Sequence, residues 1–261
     1  MNVLAIDAGT TGVTTLVIGQ DGTVLARGHR DFPQHFPAPG QVEHDPEDIW
    51  AAVLAACSEV LAAAQAPVSC VGLTNQRETV VVWDRATLRP ARRAIVWQDR
   101  RSAGICDKLR DMGAEDRVRA VTGLRIDPYF SASKITWLCR HEPQTWEGIR
   151  DGRLAVGTVD SYLLARLTGG AVYATDVSNA SRTCLLDLAS GTWSAEMAEL
   201  FDVPAAALPE IVPSSAVLGH TDPECFLGLR LPVGGVAGDQ QAALFGQAGF
   251  TPGEMKCTYG T

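Results

Sequence analysis

The chain of 261 residues has no C-x-x-C pair, no zinc-like histidine spacing and no G-x-x-x-x-G-K-[ST] loop. Its seven cysteines are odd in number and scattered, which reads as small buried residues in a reducing cytosol rather than a disulfide frame. The missing lysine loop excludes a P-loop nucleotide site, and the glycines near residue 235 fall outside the G-x-G-x-x-G register of a dinucleotide site. Basic residues are in deficit: 22 Lys and Arg stand against 30 Asp and Glu, for a net charge of −8. That balance argues against nucleic acid or an anionic membrane as the main partner. The longest greasy stretch, 51–64, is broken by Ser58-Glu59 and is too short to cross a bilayer, so no integral membrane segment is expected. Met1-Asn2-Val3 leads straight into an apolar strand, so a cleavable leader is not expected either.

The most informative stretch present is Asp7-Ala8-Gly9-Thr10-Thr11-Gly12, set between the apolar runs Val3 to Ile6 and Val13 to Ile18. A tight hairpin fits there, with Gly9 and Gly12 expected at positive φ. Successive backbone N–H groups in such a turn can hold an anion, and two threonine hydroxyls add donors. Asp7 ends the first strand at the same mouth. A carboxylate beside a phosphate cradle calls for a cation between them, which suggests a nucleotide phosphate with Mg²⁺. A polar hairpin with a solvated Asp7 is the alternative.

Asp21-Gly22 marks a second hairpin, so three strands open the chain as a meander. Asp45-Pro46 starts a helix whose face carries Ile49, Val53, Cys57, Val60 and Ala64, and Pro67 ends it. Val68 to Leu73 then reads as a buried strand parallel to the first, since a helix connects them. This order is that of an α/β, ribonuclease-H-like or actin-like domain with a mixed sheet and flanking helices. A Rossmann fold would not begin with a meander.

The polar run Thr74 to Thr79 follows at the carboxyl end of that strand, where open α/β sheets bind ligands. Val80 to Trp83 and Ala94 to Trp97 are further strand-like runs. Arg100 and Arg101 suit a salt network at a helix start. Tyr129-Phe130 precedes a helix with Ile135, Leu138 and Cys139. Leu154 to Val159 reads as a strand, and Asp160 as the cap of the next helix. Thr175 to Arg182 looks irregular, 193–201 helical, and 204–232 like an exposed insertion. Gly238-Asp239 reads as a close-approach glycine before a helix, with Asp239 as an N-cap in the simplest account.

Seven segments in order resemble the FGGY carbohydrate kinases, and within that family the members that phosphorylate glycerol. They are Asp7–Thr11, Gly40–Pro46, Thr74–Thr79, Ile95–Arg101, Asp127–Ser131, Ser178–Thr183 and Ala237–Gln241. The Asn75–Thr79 run resembles the glycerol-specific members and not those for xylulose or gluconate. The resemblance implies an actin-like ATPase fold and cytoplasmic, ATP-dependent phosphorylation of glycerol to sn-glycerol 3-phosphate. It also implies ATP/ADP and Mg²⁺ as ligands and a homo-oligomeric longer form. By motif match, Asp239 would be the general base. Arg77, Glu78, Tyr129, Asp239 and Gln240 would hydrogen-bond glycerol, with Trp97 on its carbon face. Gly9, Thr10, Thr11, Gly12 and Thr261 would meet the nucleotide, and Asp7 would position Mg²⁺ through water. A kinase for another small polyol or sugar, or a catalytically silent glycerol-binding module, remains as an alternative.

The chain departs from the family pattern in three ways. Thr14 stands where many members carry an arginine toward the phosphates. Cys225 aligns with a histidine phosphorylated for control in some relatives, so that control is not expected. Residues 1–249 read as the family's N-terminal, substrate-binding domain and 250–261 as the first strand of a C-terminal domain. Glu254 to Tyr259 is expected as that strand, and Gly260-Thr261 echoes Gly9-Thr10. The adenosine side is therefore expected to be missing.

Overall fold

The computed structural model describes residues 1–259. Its centre is a six-stranded mixed sheet. Across it run Ser215–His220, Pro232–Gly238, Cys70–Asn75, Val3–Ala8, Gly12–Ile18 and Val24–Asp31. The three middle strands, Pro232–Gly238, Cys70–Asn75 and Val3–Ala8, are mutually parallel; the outer ones are antiparallel to their neighbours. The opening meander and the helix-linked parallel strand are thus as the sequence indicates.

Period-2 alternation decides which side of the sheet is buried. Leu4, Ile6 and Ala8 point into the core, with Val13, Val17, Val71 and Leu73 beside them. The helix Pro46–Ala64 covers this face. Asp45 caps it, its carboxylate accepting from the Glu47 N–H at 2.9 Å, and Pro46 fills the first turn. Ile49, Val53, Cys57 and Val60 are buried, as their spacing demands. The helix stops at Gln65 in a left-handed conformation (φ 47°), two residues ahead of Pro67. Gly28 lets it come close: a Cβ there would lie 2.9 Å from Val60 Cγ1 and 3.2 Å from the Ala56 carbonyl.

The run at Val80 does not join the main sheet. Val81–Asp84 pairs antiparallel with Leu154–Gly157 as a separate ribbon. Its alternating side chains serve two cores. Val81, Trp83 and Ala155 face the sheet's core; Val82, Leu154 and Val156 face a second core built with Ile105, Val118, Ile135 and Ile149. The helices Ala103–Asp111, Glu115–Thr122, Ser131–His141 and Pro143–Arg150 enclose that second core.

Several local expectations are corrected. Thr158, not Asp160, precedes the helix Val159–Leu167. Asp160 is fully buried and accepts from the hydroxyls of Thr158 (2.5 Å) and Thr175 (2.7 Å). Burial and the neighbouring Asp176 push its pKa up to about 7. The 175–182 stretch is ordered: Ala174–Asp176 is a strand, and Asp176 caps the turn Val177–Ala180. Residues 204–232 are no insertion, because Ser215–His220 forms the sheet edge and Phe226 is fully buried against Trp50. Residues 254–259 carry no strand. No neighbouring chain pairs with them among the described residues, and Met255 and Tyr259 are exposed.

Candidate active site

Sheet register brings the site together. Asp7, Thr74 and Ala237 lie side by side on the three parallel strands, and Ala8, Asn75 and Gly238 follow in the next row. The chain then leaves all three strands at the same end. It gives the 9–11 turn from the first, Gln76-Arg77-Glu78 from the second and Asp239 from the third. Asp7 and Ala237 share one face, and Asp239, two residues after Ala237, returns to it.

Neither glycine of the hairpin adopts positive φ, contrary to expectation. Close approach requires glycine at 12 and leaves little room for a side chain at 9. A Cβ on Gly12 would meet the Arg30 carbonyl at 2.7 Å and the His29 ring at 2.9 Å, and one on Gly9 would lie 3.2 Å from the Gly12 carbonyl. Gly9 N–H donates to Gly12 C=O at 3.0 Å and closes the turn. Thr11 is exposed at its tip. Thr10 turns the other way, and its hydroxyl accepts the indole N–H of Trp97 at 2.9 Å. Thr261 lies outside the described residues.

Asp239 is the first residue of the helix Asp239–Gly246, with Gly238 as its N-cap. Its Oδ1 accepts from the Gln240 N–H at 2.6 Å and lies 3.0 Å from Arg77 Nε, at an angle that makes an ion pair without a hydrogen bond. Among the described residues, Oδ2 has no hydrogen-bond partner. Gly238 is a close-approach glycine as read: a Cβ there would sit 2.5 Å from Arg77 Cδ. Its N–H donates to Ser178 Oγ at 2.8 Å, which fixes the peptide just before Asp239. Arg77 also donates to Gln241 Oε1 at 3.2 Å. The Gln240 side chain is engaged by Thr258, whose hydroxyl donates to its Oε1 at 2.9 Å.

Glu78 is buried and adopts φ 62°, a strained conformation for a side-chain-bearing residue. Arg182 Nε donates to its Oε1 at 2.8 Å. Burial raises the Glu78 pKa above the ordinary carboxylate value, although Arg77, Arg182 and Lys134 pull it back. Trp97 and Tyr129 meet edge to face at 5.5 Å, and the Arg182 guanidinium lies 5.0 Å from the Phe130 ring. Behind them Lys134, fully buried, donates to three successive carbonyls: Pro128 at 2.5 Å, Tyr129 at 2.8 Å and Phe130 at 3.2 Å. Burial depresses its pKa to about 8.

Asp7 and Asp239 open into one cleft of about 720 Å³, together with Thr14 and Thr74. Asp7 is exposed at the cleft mouth, yet partial desolvation by the surrounding protein, and then the like charge of Asp239, raise its pKa. The Thr74 hydroxyl oxygen is buried and, among the described residues, has no hydrogen-bond partner. Two facing carboxylates and an orphaned hydroxyl suit a hydrated divalent cation, which keeps most of its waters and takes only one or two carboxylates. Among the described residues no cluster of three or more His, Cys, Asp or Glu could hold a bare metal. A larger hollow of about 860 Å³, walled by Arg89, Arg93 and Arg166, holds none of these residues.

Sequence reading did not single out Arg182, Lys134 or His44 as site residues. The signal for Lys134 was present: it shares a helical stripe with Ser131, Ile135 and Leu138, where a lone cation must find partners inside. Arg182 closes the polar run that begins at Thr175, and His44 sits in a conspicuous Glu-His-Asp-Pro string.

A meander-opened mixed sheet with ligand-facing groups at the ends of three parallel strands is the actin-like ATPase fold. The chain belongs to the FGGY family of carbohydrate kinases, whose N-terminal domain matches residues 2–246. It is 53% identical over 262 residues to the glycerol kinase of Bradyrhizobium sp. (strain ORS 278), covering 99% of this chain and 52% of that protein. The Plasmodium falciparum glycerol kinase crystal structure with ADP superposes with a TM-score of 0.96 at 34% identity, over 99% of this chain and 52% of that one. The xylulose kinase of Rhodospirillum rubrum gives a TM-score of 0.89 at 28% identity, over 97% and 52%. The chain spans about half the length of the curated relatives it matches.

Proposed function

We propose that this chain is the polyol-binding half of an ATP-dependent glycerol kinase, which makes sn-glycerol 3-phosphate. The observation that carries this reading is the meeting of Arg77, Asp239 and the Glu78–Arg182 pair beside the Trp97–Tyr129 wall, at the mouth of the Gly9–Thr11 turn. A small polyol offers a carbon face and hydroxyls that both give and take hydrogen bonds. Arg77 donates, Glu78 accepts, and Trp97 covers the carbons. The resemblance to glycerol kinases at 53% identity supports glycerol over other polyols.

An alcohol is a poor nucleophile, so transfer needs a placed base and exclusion of water. Asp239 Oδ2 takes the proton of the attacking hydroxyl. The new O–P bond forms as the γ-phosphorus leaves the ADP oxygen. Arg77 holds Asp239 in place through its other oxygen. The N–H groups of Thr10 and Thr11 bind phosphate oxygens, while that of Gly9 closes the turn on the Gly12 carbonyl. Asp7, through water, and Asp239 would hold Mg²⁺, which supplies charge neutralisation on the phosphates when bound.

This half is proposed to bind glycerol and to phosphorylate it little, because one cleft wall does not exclude water. The test assays this chain beside a longer form spanning the relatives' length, offered glycerol, xylulose and gluconate with Mg-ATP. The expected outcome is glycerol-selective turnover in the longer form alone, with calorimetric glycerol binding in both. Equal turnover of xylulose would reject the glycerol assignment, and full activity in this chain would reject the division of labour.

A further inference from the structure

The turn that faces the phosphates is held from behind by an arrangement that centres on one histidine. His44 is fully buried in the short strand Glu43–His44, its ring edge to face with Phe32 at 5.1 Å. Its Nε2 lies 2.6 Å from Gln34 Oε1 and its Nδ1 lies 3.3 Å from Gln76 Nε2. Gln34 Nε2 donates to the Thr10 carbonyl at 2.9 Å, and Gln76 Nε2 donates to the Gly9 carbonyl at 2.9 Å.

Backbone carbonyls only accept, so both amide orientations are forced by the chain itself. Gln34 must turn its oxygen to the ring, and Gln76 its nitrogen. The Gln76 oxygen is in any case taken by the Thr79 hydroxyl at 2.8 Å. One ring state satisfies all of this: neutral imidazole with the proton on Nε2. An imidazolium would set an N–H against the Gln76 N–H. The surroundings agree, since burial and then His35 depress the His44 pKa to about 4. The flanking carboxylates are engaged elsewhere, Glu43 with Arg92 and Arg101 and Asp45 with the Glu47 N–H.

A planar trans peptide points its N–H opposite to its C=O. Pinning the Gly9 carbonyl therefore aims the Thr10 N–H outward, and pinning the Thr10 carbonyl aims the Thr11 N–H outward. Among the described residues neither N–H is used in a turn or loop hydrogen bond. We propose that His44 is a positioning residue of this turn: as the Nε2–H tautomer it orients Gln34 and Gln76, which together aim the Thr10 and Thr11 amides at a phosphate. The proposal rests on the reading of Gly9–Thr11 as the phosphate cradle.

The test uses the whole isotope-labelled chain and millimolar Mg-ATP as the probe. In the unaltered chain the Thr10 and Thr11 amide resonances move on titration, and the His44 ring shows Nε2 protonated and Nδ1 bare from pH 7 down to 5.5. In His44→Phe, which keeps ring shape and removes both ring hydrogen bonds, ATP affinity read at those amides falls at least tenfold. Glycerol affinity by calorimetry stays within threefold. Gln34→Met, which cuts only the Thr10 arm, lowers ATP affinity at least threefold and serves if the histidine variant does not fold. An imidazolium or Nδ1–H ring at pH 7 would overturn the proposal, as would equal losses of ATP and glycerol affinity or no loss of either. Unmoved Thr10 and Thr11 amides in the unaltered chain would overturn the cradle reading and the proposal with it.

Discussion

The indole of Trp97 donates to the hydroxyl of Thr10 at 2.9 Å, across 87 positions of sequence. The Trp97 backbone N–H donates to Thr79 Oγ1 at 3.1 Å, and Thr79 in turn donates to Gln76. The wall assigned to the polyol and the turn assigned to the phosphates are therefore one hydrogen-bonded unit. The Thr10 hydroxyl accepts here, so its own O–H can still donate to a phosphate, as can its backbone N–H.

Asp239→Asn keeps the size of the side chain and its place at the helix start, and removes the basic oxygen. In the longer form, kcat should fall about 10²–10⁴-fold with glycerol affinity within a few-fold of the original. Steady-state kinetics and calorimetry check this, and near-normal kcat would reduce Asp239 to a helix-start residue.

Gly238→Ala adds one methyl where Arg77 Cδ lies 2.5 Å away. The backbone there, φ −61° and ψ 148°, suits alanine, so the fold should lose no more than about 1 kcal/mol. Arg77 has to move, and glycerol affinity should drop tenfold or more. Urea unfolding and calorimetry separate the two effects; unchanged affinity would mean that Arg77 does not read the polyol.

Lys134→Met removes the cation that binds three buried carbonyls behind Tyr129. Stranding them should cost about 3–5 kcal/mol of stability. Glycerol binding should weaken as the Tyr129–Phe130 segment loses its anchor. Urea midpoints measure the first, and a loss under about 1 kcal/mol would show that the carbonyls find other donors.

His44 gives a pH dependence with a definite sign. Its folded pKa, about 4, lies below the ordinary 6.5, so the unfolded chain takes the proton first as pH falls. The contribution is complete above pH 6.5 and is lost between there and about pH 4. Between pH 7.5 and 4.5 the unaltered chain should lose about 2–3 kcal/mol more than His44→Phe in paired urea titrations. Equal losses would show that the buried ring takes up its proton without penalty.

The sheet's opening was legible because its signals are local: alternation from Val3 to Ile18, Asp21-Gly22, and Asp45-Pro46 before a clean helical stripe. The ribbon Val81–Asp84 was legible as a strand and not as a partner for Leu154–Gly157. Both its faces are apolar, so no alternation reveals which neighbour it takes. Glu254 to Tyr259 has a strand's composition, yet pairing is a property of neighbours and not of the segment. In the site, Asp7, Arg77, Glu78 and Asp239 stand out as polar groups where strands end. Arg182 and Lys134 stayed hidden because their purpose is to hold those groups from the far side. Only folded distance reveals that.

The helix that begins at Asp239 has no buried residue along its length, and Phe245, at its far end, is 70% exposed beside Phe250. The proposed base is thus mounted on a helix that buries none of its residues, while Glu78, which is assigned to the polyol, is buried in a segment outside any helix. Arg77 and the Gly238–Ser178 bond hold the start of this helix, and a surface settling over Phe245 and Phe250 would hold its far end. The same covering that keeps water from the phosphate would then arm the group that activates the alcohol, so an uncovered cleft would be poor at transferring phosphate to water.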